Sequence, residues 1–363
     1  MIAHRKDDHV RFAAEQQRHL GGHHQFDDVS FVHHALAGID RPDVSLATRF
    51  GGIEWKVPLY INAMTGGSEM TGAINRDLAI AARETGVPIA TGSMSAYFAD
   101  ASVAETFSVM RLENPAGFIM ANVNANASVE NARRAVDLLQ ADALQIHLNS
   151  LQETVMAEGD RSFSAWGPQI EKIVAGVDVP VIVKEVGFGL SRETVLMLRD
   201  MGVRVADVAG RGGTDFARIE NDRRDRADYS YLNGSGQSTP ACLLDAQDAG
   251  IPVLASGGVR NPLDVARGLA LGASAAGASG PFLKTVLDDG VPALISRISE
   301  WLDQLEALMT VLGARTPADL TRCDVLVRGD LREFCADRGI ETRRLATRSR
   351  SHGTTHTTIG NFR

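Results

Sequence analysis

The run His147-Leu148-Asn149-Ser150-Leu151-Gln152-Glu153 sets an imidazole, two amides and a carboxylate directly behind the apolar stretch Ala143 to Ile146. Groups of these types at the end of a buried strand can bind an anion, coordinate a metal or relay a proton. A second apolar stretch, Val179 to Val183, runs straight into Lys184-Glu185-Val186-Gly187-Phe188-Gly189. Lys184 is open to three readings: a fixed cation beside an electron-rich ring, a Schiff-base amine, or the partner of Glu185 in a structural ion pair.

Glycines recur at two further strand ends, Ala255-Ser256-Gly257-Gly258-Val259-Arg260 and Gly277-Ala278-Ser279-Gly280. Such glycines let backbone N–H groups approach a phosphate, although tight turns would need them equally. Asn62-Ala63-Met64-Thr65-Gly66-Gly67, Thr91-Gly92-Ser93-Met94-Ser95, Asn122 and Gly210-Arg211-Gly212-Gly213-Thr214-Asp215 add hydroxyl, amide and backbone donors. A flat heteroaromatic ring with several carbonyls and nitrogens requires donors of this kind, so a phosphate cradle with such a rim suggests FMN.

The elements that must position these residues are eight apolar, β-rich runs: Pro58 to Ala63, Val87 to Thr91, Gly117 to Asn122, Ala143 to Leu148, Val179 to Lys184, Val203 to Val208, Ile251 to Ser256 and Ala273 to Ala278. Helical patterns lie between them, for example Ser128 to Gln140 and Ser191 to Met201. Continuous apolar strands alternating with helices predict a parallel sheet covered on both faces, and eight repeats predict its closure into a (β/α)8 TIM barrel. We expect an N-terminal arm over residues 1–50 covering the site, a barrel over 51–285, C-terminal helices over 286–345 and a disordered polar tail over 346–363. The polar stretch Asn221 to Ser238 reads either as an active-site loop or as a solvated excursion.

Composition narrows the class. The net charge of −8 argues against a general nucleic-acid binder. No apolar run approaches the ~20 residues needed to span a bilayer, and no leader pattern follows Met1, so a cytoplasmic protein without a membrane partner is expected. Cys242, Cys323 and Cys335 are an odd number without metal or redox spacing and read as packing residues of a reducing compartment. Seven of the ten histidines lie before residue 51, yet the pairs His23-His24 and His33-His34 lack the pattern of a zinc site.

Taken in order, Arg5-Lys6-Asp7-Asp8-His9, Met64-Thr65-Gly66-Gly67, His147-x-Asn149-x-x-Gln152-Glu153, Lys184 to Gly189, Gly210 to Thr214 and Ala255 to Arg260 form a specific series. By these motifs the chain resembles the type 2 isopentenyl diphosphate isomerases, FMN-dependent enzymes that interconvert isopentenyl and dimethylallyl diphosphate. The resemblance covers nearly everything except the tail. It implies that Ala63, Met64, Thr65, Ser93, Asn122, Lys184, Thr214, Gly257, Gly258, Arg260, Ala278 and Ser279 hold FMN. It implies that Arg5, Lys6, His9, His147 and Asn149 bind substrate, that Gln152 faces the isoprene carbons as the catalytic side chain, and that Glu153 binds Mg2+. Read without the family, Arg5 and Lys6 would be a solvated charge pair. The resemblance also implies a homotetramer or homo-octamer. Where some members carry Gln-Arg this chain has Met94-Ser95, and Asp215 and Ser235 stand where Ser and Trp are common.

The implied reaction shifts a double bond without net redox change, with reduced FMN as principal acid and base and Gln152 as a positioning or relay group. NADPH would reduce the flavin as a visitor, because no strand–GxGxxG–helix fingerprint is present. Two rivals remain. An FMN-dependent 2-hydroxy acid oxidase would need a histidine base at a late strand, and strands five to eight contain none. A non-catalytic flavin- or phosphate-binding barrel is opposed by Gln152, Glu153 and Lys184.

Overall fold

The eight apolar runs form the strands β1 (Leu59–Ile61), β2 (Ile89–Ala90), β3 (Ile119–Asn124), β4 (Ala143–His147), β5 (Val181–Lys184), β6 (Val205–Asp207), β7 (Val253–Ser256) and β8 (Ala276–Ala278). All neighbours pair in parallel, and β8 returns to β1 to close the barrel. The computed structural model describes residues 2–18, 21, 23–224 and 228–351. Among them no helix is long and apolar enough to cross a membrane.

The connecting helices begin and end where their chemistry dictates. Ser128 accepts from Asn131 N to cap the helix Val129–Leu139, which buries Ala132, Ala135 and Leu139 and stops at Gln140 in the left-handed region. Ser191 caps Arg192–Asp200 in the same way through Thr194 N. Repetition of this unit places every strand's C-terminal end on one rim.

Inside the barrel, the end opposite that rim is apolar. Ala90, Met120, Ala143, Ile182, Val205 and Leu254 point inward and meet Phe50, Ile53 and Trp55 of the hairpin Thr48–Phe50/Ile53–Trp55. The Trp55 ring lies 4.9 Å from Phe50, 5.2 Å from Tyr60 and 5.5 Å from Phe118. The hairpin therefore plugs the barrel floor.

Three expectations about the flanks meet a different arrangement. The segment before the barrel is not one arm. Helix α1 (Ile2–Arg18) belongs to the rim, where the short helices α2 (Ser150–Val155) and α3 (Phe216–Asp222) follow β4 and β6. Val29–Phe31, by contrast, pairs antiparallel with Val325–Val327 of the C-terminal extension. The extension does not begin near 286 either, because α4 (Gly280–Leu312) starts at the end of β8 and breaks at Gly290, whose φ of 79° and ψ of −179° precede Pro292. Nor is the chain disordered from 346: Arg348 donates to the carbonyls of Cys323 at 2.5 Å, Ala270 at 2.9 Å and Leu320 at 3.2 Å, and so docks residues up to 351. Residues 352–363 of the expected tail lie outside the described residues.

Trp55→Ala should empty the floor at a cost of about 3–5 kcal/mol, the usual range for deleting a buried large aromatic. Urea unfolding of the two proteins measures the loss, and a cost under ~1 kcal/mol would show that the hairpin is peripheral.

Candidate active site

A cavity of about 560 Å³ opens at the C-terminal ends of the strands and is roofed by α1. Arg5, Lys6 and His9 from α1, His147 from the end of β4, Asn149 from the following turn, and Gln152 and Glu153 from α2 all line it. The structure thus brings the expected anion-binding, catalytic and metal-binding residues to one wall.

Each of these side chains is held by named partners. His147 Nδ1 lies 2.7 Å from Asn122 Oδ1, and burial, followed by Lys184 and Lys6, pushes the ring's pKa down to about 3. Asn149 Nδ2 donates to Glu153 Oε1 at 2.9 Å and to Gln152 Oε1 at 3.3 Å. Glu153 Oε2 accepts from Asp160 N at 2.7 Å. Arg5 reaches Glu158 at 3.6 Å, while its Nε is buried without a partner. Lys6 is buried and makes no hydrogen bond or ion pair with a described residue. Burial and then Arg5 lower its pKa to about 8, with Glu220 acting in the opposite sense.

Glu220, which the sequence reading missed, organises this wall. Its carboxylate is buried on α3, accepts from Gln152 Nε2 at 2.8 Å, meets His9 Nε2 at 2.8 Å and pairs with Arg223 Nη1. Burial alone would raise its pKa. The bonds from His9, Gln152 and Arg223 outweigh burial and hold it at about 2. No motif marks Glu220, and two of its three partners, His9 and Gln152, lie far away in sequence. Gln16 and Gln17 were also unmarked: Gln16 exchanges bonds of 2.8 and 3.1 Å with the backbone of Asp215, and Gln17 lines the cavity above Gly280.

The remaining lining includes Ala63, Met64, Ser93, Asn122, Lys184, Thr214, Gly257, Gly258, Arg260, Ala278 and Ser279, of which Asn122 and Lys184 adjoin His147. Thr65, expected among them, is not part of the lining; its Oγ1 is buried and unpartnered. Arg260 lines the cavity, yet its guanidinium is engaged by Asp27 at 2.7 Å and Asp264 at 2.8 Å. Lys184 does not pair with the neighbouring carboxylate. Its Nζ donates to the Glu185 carbonyl at 2.6 Å, while Glu185 Oε2 accepts from the N–H groups of Val186, Gly187 and Phe188 at 2.6, 2.8 and 2.5 Å.

Gly257 is required by geometry: at φ 88°, a Cβ there would lie 1.9 Å from Gly210 O. Behind β8, the N-terminus of α4 carries no side-chain cap and opens at Gly280 and Pro281 onto the cavity. Free N–H groups at a helix start and adjacent glycine loops are suited to a phosphate.

The described residues of the Asn221 to Ser238 stretch do not line the cavity. Tyr229 and Leu232 pack instead against Phe188, Val155 and Ala217, so this loop buttresses the site from outside. Asp215 caps α3 through Arg218 N at 3.1 Å and ties the loop down through Gly234 N at 2.8 Å, which a shorter Ser would not do in the same way. Met94 is fully buried, and Ser95 bonds Ser93 at 2.7 Å.

Residues 110–327 match the FMN-dependent dehydrogenase family. The chain is 73% identical to an isopentenyl-diphosphate delta-isomerase of Kitasatospora griseola over 96% of both proteins, and 44% identical to that of Listeria welshimeri over 95% of this chain and 97% of the other. Among solved structures, a point mutant of flavocytochrome b2 with benzoylformate superposes with a TM-score of 0.62 at 19% identity, covering 97% of this chain and 86% of that one. Mandelate oxidase superposes with a TM-score of 0.58 at 16% identity, covering 88% and 91%. At such identity these structures share the barrel alone.

Glu220→Gln keeps an acceptor for Gln152 but removes the charge that holds His9 and Arg223. Hydrogen bonds to a charged group are worth about 1.5–3 kcal/mol, so α1 should open roughly tenfold or more often. Trypsin cleavage at Arg5, Lys6 and Arg11 measures this, and an unchanged rate would remove Glu220 from the latch. In the native protein the pKa of Glu220 lies below its free value, so its contribution is complete above pH ~4.5 and fades as pH falls toward 2.

Proposed function

The chain belongs to the isopentenyl-diphosphate delta-isomerase family and contains an FMN-dependent dehydrogenase domain, and we propose that it interconverts isopentenyl and dimethylallyl diphosphate with reduced FMN as acid/base cofactor. One observation carries the reading of the site: Lys6 and Lys184 are buried on a shared cavity, and neither forms an ion pair with a described carboxylate. Burying a cation unpaired is costly, so both call for anionic ligands.

The cavity offers an anion subsite at each end. The residues fit FMN: the uncapped start of α4 with Gly257, Gly258 and Ser279 would take its phosphate, and Lys184, Asn122, Met64 and Ser93 would border its ring. Bound and reduced, the flavin would supply an electron-rich ring able to exchange a proton with an alkene carbon and to stabilise positive charge developing there. Arg5, Lys6 and His147 would grip the diphosphate. Glu153 is a single carboxylate, and among the described residues no cluster of three or more metal-ligating side chains forms a cage. That suits Mg2+, which commonly takes one or two carboxylates and completes its shell with phosphate oxygens and water.

Gln152 cannot turn freely, because Glu220 accepts from its Nε2 and Asn149 donates to its Oε1. A fixed amide is a poor base and a good positioning group. Roofing by α1 keeps water from the carbons between the two subsites. NADPH would reduce the flavin and depart. The oxidase alternative lacks its base, since no histidine lies between residues 147 and 352.

The test is anaerobic incubation of purified protein with isopentenyl diphosphate, FMN, Mg2+ and NADPH. Dimethylallyl diphosphate should appear without stoichiometric NADPH consumption, and equal turnover with oxidised FMN and no reductant would overturn the proposed cofactor role. Gln152→Asn, one methylene shorter, should cut kcat by about 10²–10⁴ while leaving the flavin spectrum intact. A change within about threefold would make Gln152 a peripheral contact. Glu153→Gln should raise the Mg2+ concentration needed for half-maximal rate at least roughly tenfold, a loss of ~1.4 kcal/mol; an unchanged titration would place the ion elsewhere.

A further inference from the structure

Between the apolar floor and the mouth, the barrel interior holds a buried line of polar side chains. At its deep end Asp207, on β6, is wholly buried. Its Oδ2 accepts from Tyr60 OH at 2.6 Å and Asn62 Nδ2 at 3.0 Å; its Oδ1 accepts from Ser256 Oγ at 2.7 Å and Ala209 N at 3.2 Å. All four bonds are donated to the carboxylate, so the group acts here as an acceptor.

That fact sets a direction. Asn62 must turn its NH2 toward Asp207, and its Oδ1 is independently fixed by the backbone N–H of Ala63 at 2.8 Å. Asn62 Oδ1 can therefore only accept from Gln145, whose Nε2 lies 3.3 Å away. The amide of Gln145 is thereby oriented, and its Oε1 accepts from Asn122 Nδ2 at 3.1 Å. Asn122 is oriented in turn, leaving Oδ1 to face His147 Nδ1 at 2.7 Å. A carbonyl oxygen cannot donate, so Nδ1 carries the proton.

We propose that these amides form a one-way relay from Asp207 that fixes the Nδ1–H tautomer of His147, so that Nε2 meets the cavity as a bare lone pair and grips a diphosphate oxygen only after the ring has taken a second proton from solvent. Gln145 and Asp207 are positioning residues in this arrangement. The charged groups acting on the ring are Lys184 from β5 and Lys6 from α1, which both oppose its protonation, as burial does, while the Val123 carbonyl on β3 acts in the opposite sense. An arriving polyanion reverses that balance by neutralising both cations. The grip is thus conditional: the ring repels an anion when neutral and clasps it once protonated, and binding is linked to proton uptake at His147. The second half of the proposal rests on the diphosphate reading, and the first half does not.

The experiment uses FMN-loaded protein labelled with 15N-histidine, with the His147 resonances assigned by their loss in His147→Gln. In the free protein at neutral pH, Nδ1 should carry hydrogen and Nε2 should show the shift of an unprotonated ring nitrogen. Addition of inorganic diphosphate with Mg2+ should move Nε2 to the protonated position. In Gln145→Met, which matches the side chain's length without its amide, Asn122 is released and the Nε2–H tautomer should appear in the neutral ring. An Nε2–H tautomer in the free wild-type protein, or an unchanged tautomer in Gln145→Met, overturns the relay. Bare Nε2 with diphosphate bound by calorimetry overturns the conditional grip. Absence of calorimetric binding would instead count against the diphosphate reading, while the free-protein spectrum still decides the relay. Should Gln145→Met fail to fold, the two wild-type spectra decide both halves.

Discussion

A carboxylate removed from water must be compensated where it lies, and Glu220 is compensated by three segments of the chain at once. His9 comes from α1, Gln152 from α2 and Arg223 from just beyond Glu220's own helix. Because each bond satisfies a buried charge, none of these segments can move away without leaving a group unpaired at high energy. The roof, the Gln152 amide and the helix after β6 are therefore placed by a shared electrostatic requirement. Apolar packing supports the same placement through Val10 and Ala13, which α1 buries.

The barrel interior is graded along its axis. Its floor is apolar and sealed by Trp55; its middle layer is polar and paired; its mouth holds Lys6 and Lys184, which pair with no described carboxylate. The middle layer is tolerated because its donors and acceptors are matched, with Asp207 alone taking four bonds. The register puts His147, Lys184 and Asp207 side by side on β4, β5 and β6. One carboxylate engaged by four donors and two lysines without a described carboxylate partner give the cavity a positive face.

Much of this was legible in the sequence for local reasons. The eight strands are continuous apolar runs, and serine caps mark the starts of helices such as Val129–Leu139. Groups at strand ends, such as His147, Lys184 and Gly257, show because polarity interrupts an apolar pattern. What escaped depends on contacts distant in sequence: His9 and Glu220 are 211 residues apart, and Arg348 and Ala270 are 78 apart. The polar stretch after Asn221 misled for a related reason. Its composition allows an active-site loop or a solvated excursion, but its Tyr229 and Leu232 find an apolar bed outside the mouth. Thr65 sits within a motif of the family and still turns its hydroxyl into the wall rather than the cavity.

Lys184 and Glu185 show why adjacency is a weak guide to pairing. On a strand, successive side chains point to opposite faces, so neighbours of opposite charge are driven apart by the backbone itself. Glu185 leaves the strand and commits its carboxylate to three successive N–H groups, which fixes the turn after β5. Lys184 remains inside with one carbonyl for a partner, and burial lowers its pKa while Asp207 and Glu185 act at a distance to keep it charged. A direct ion pair would have neutralised the lysine before any ligand arrived. By satisfying the glutamate with backbone instead, the fold keeps a buried positive charge available at the one place where an electron-rich ring would border the cavity.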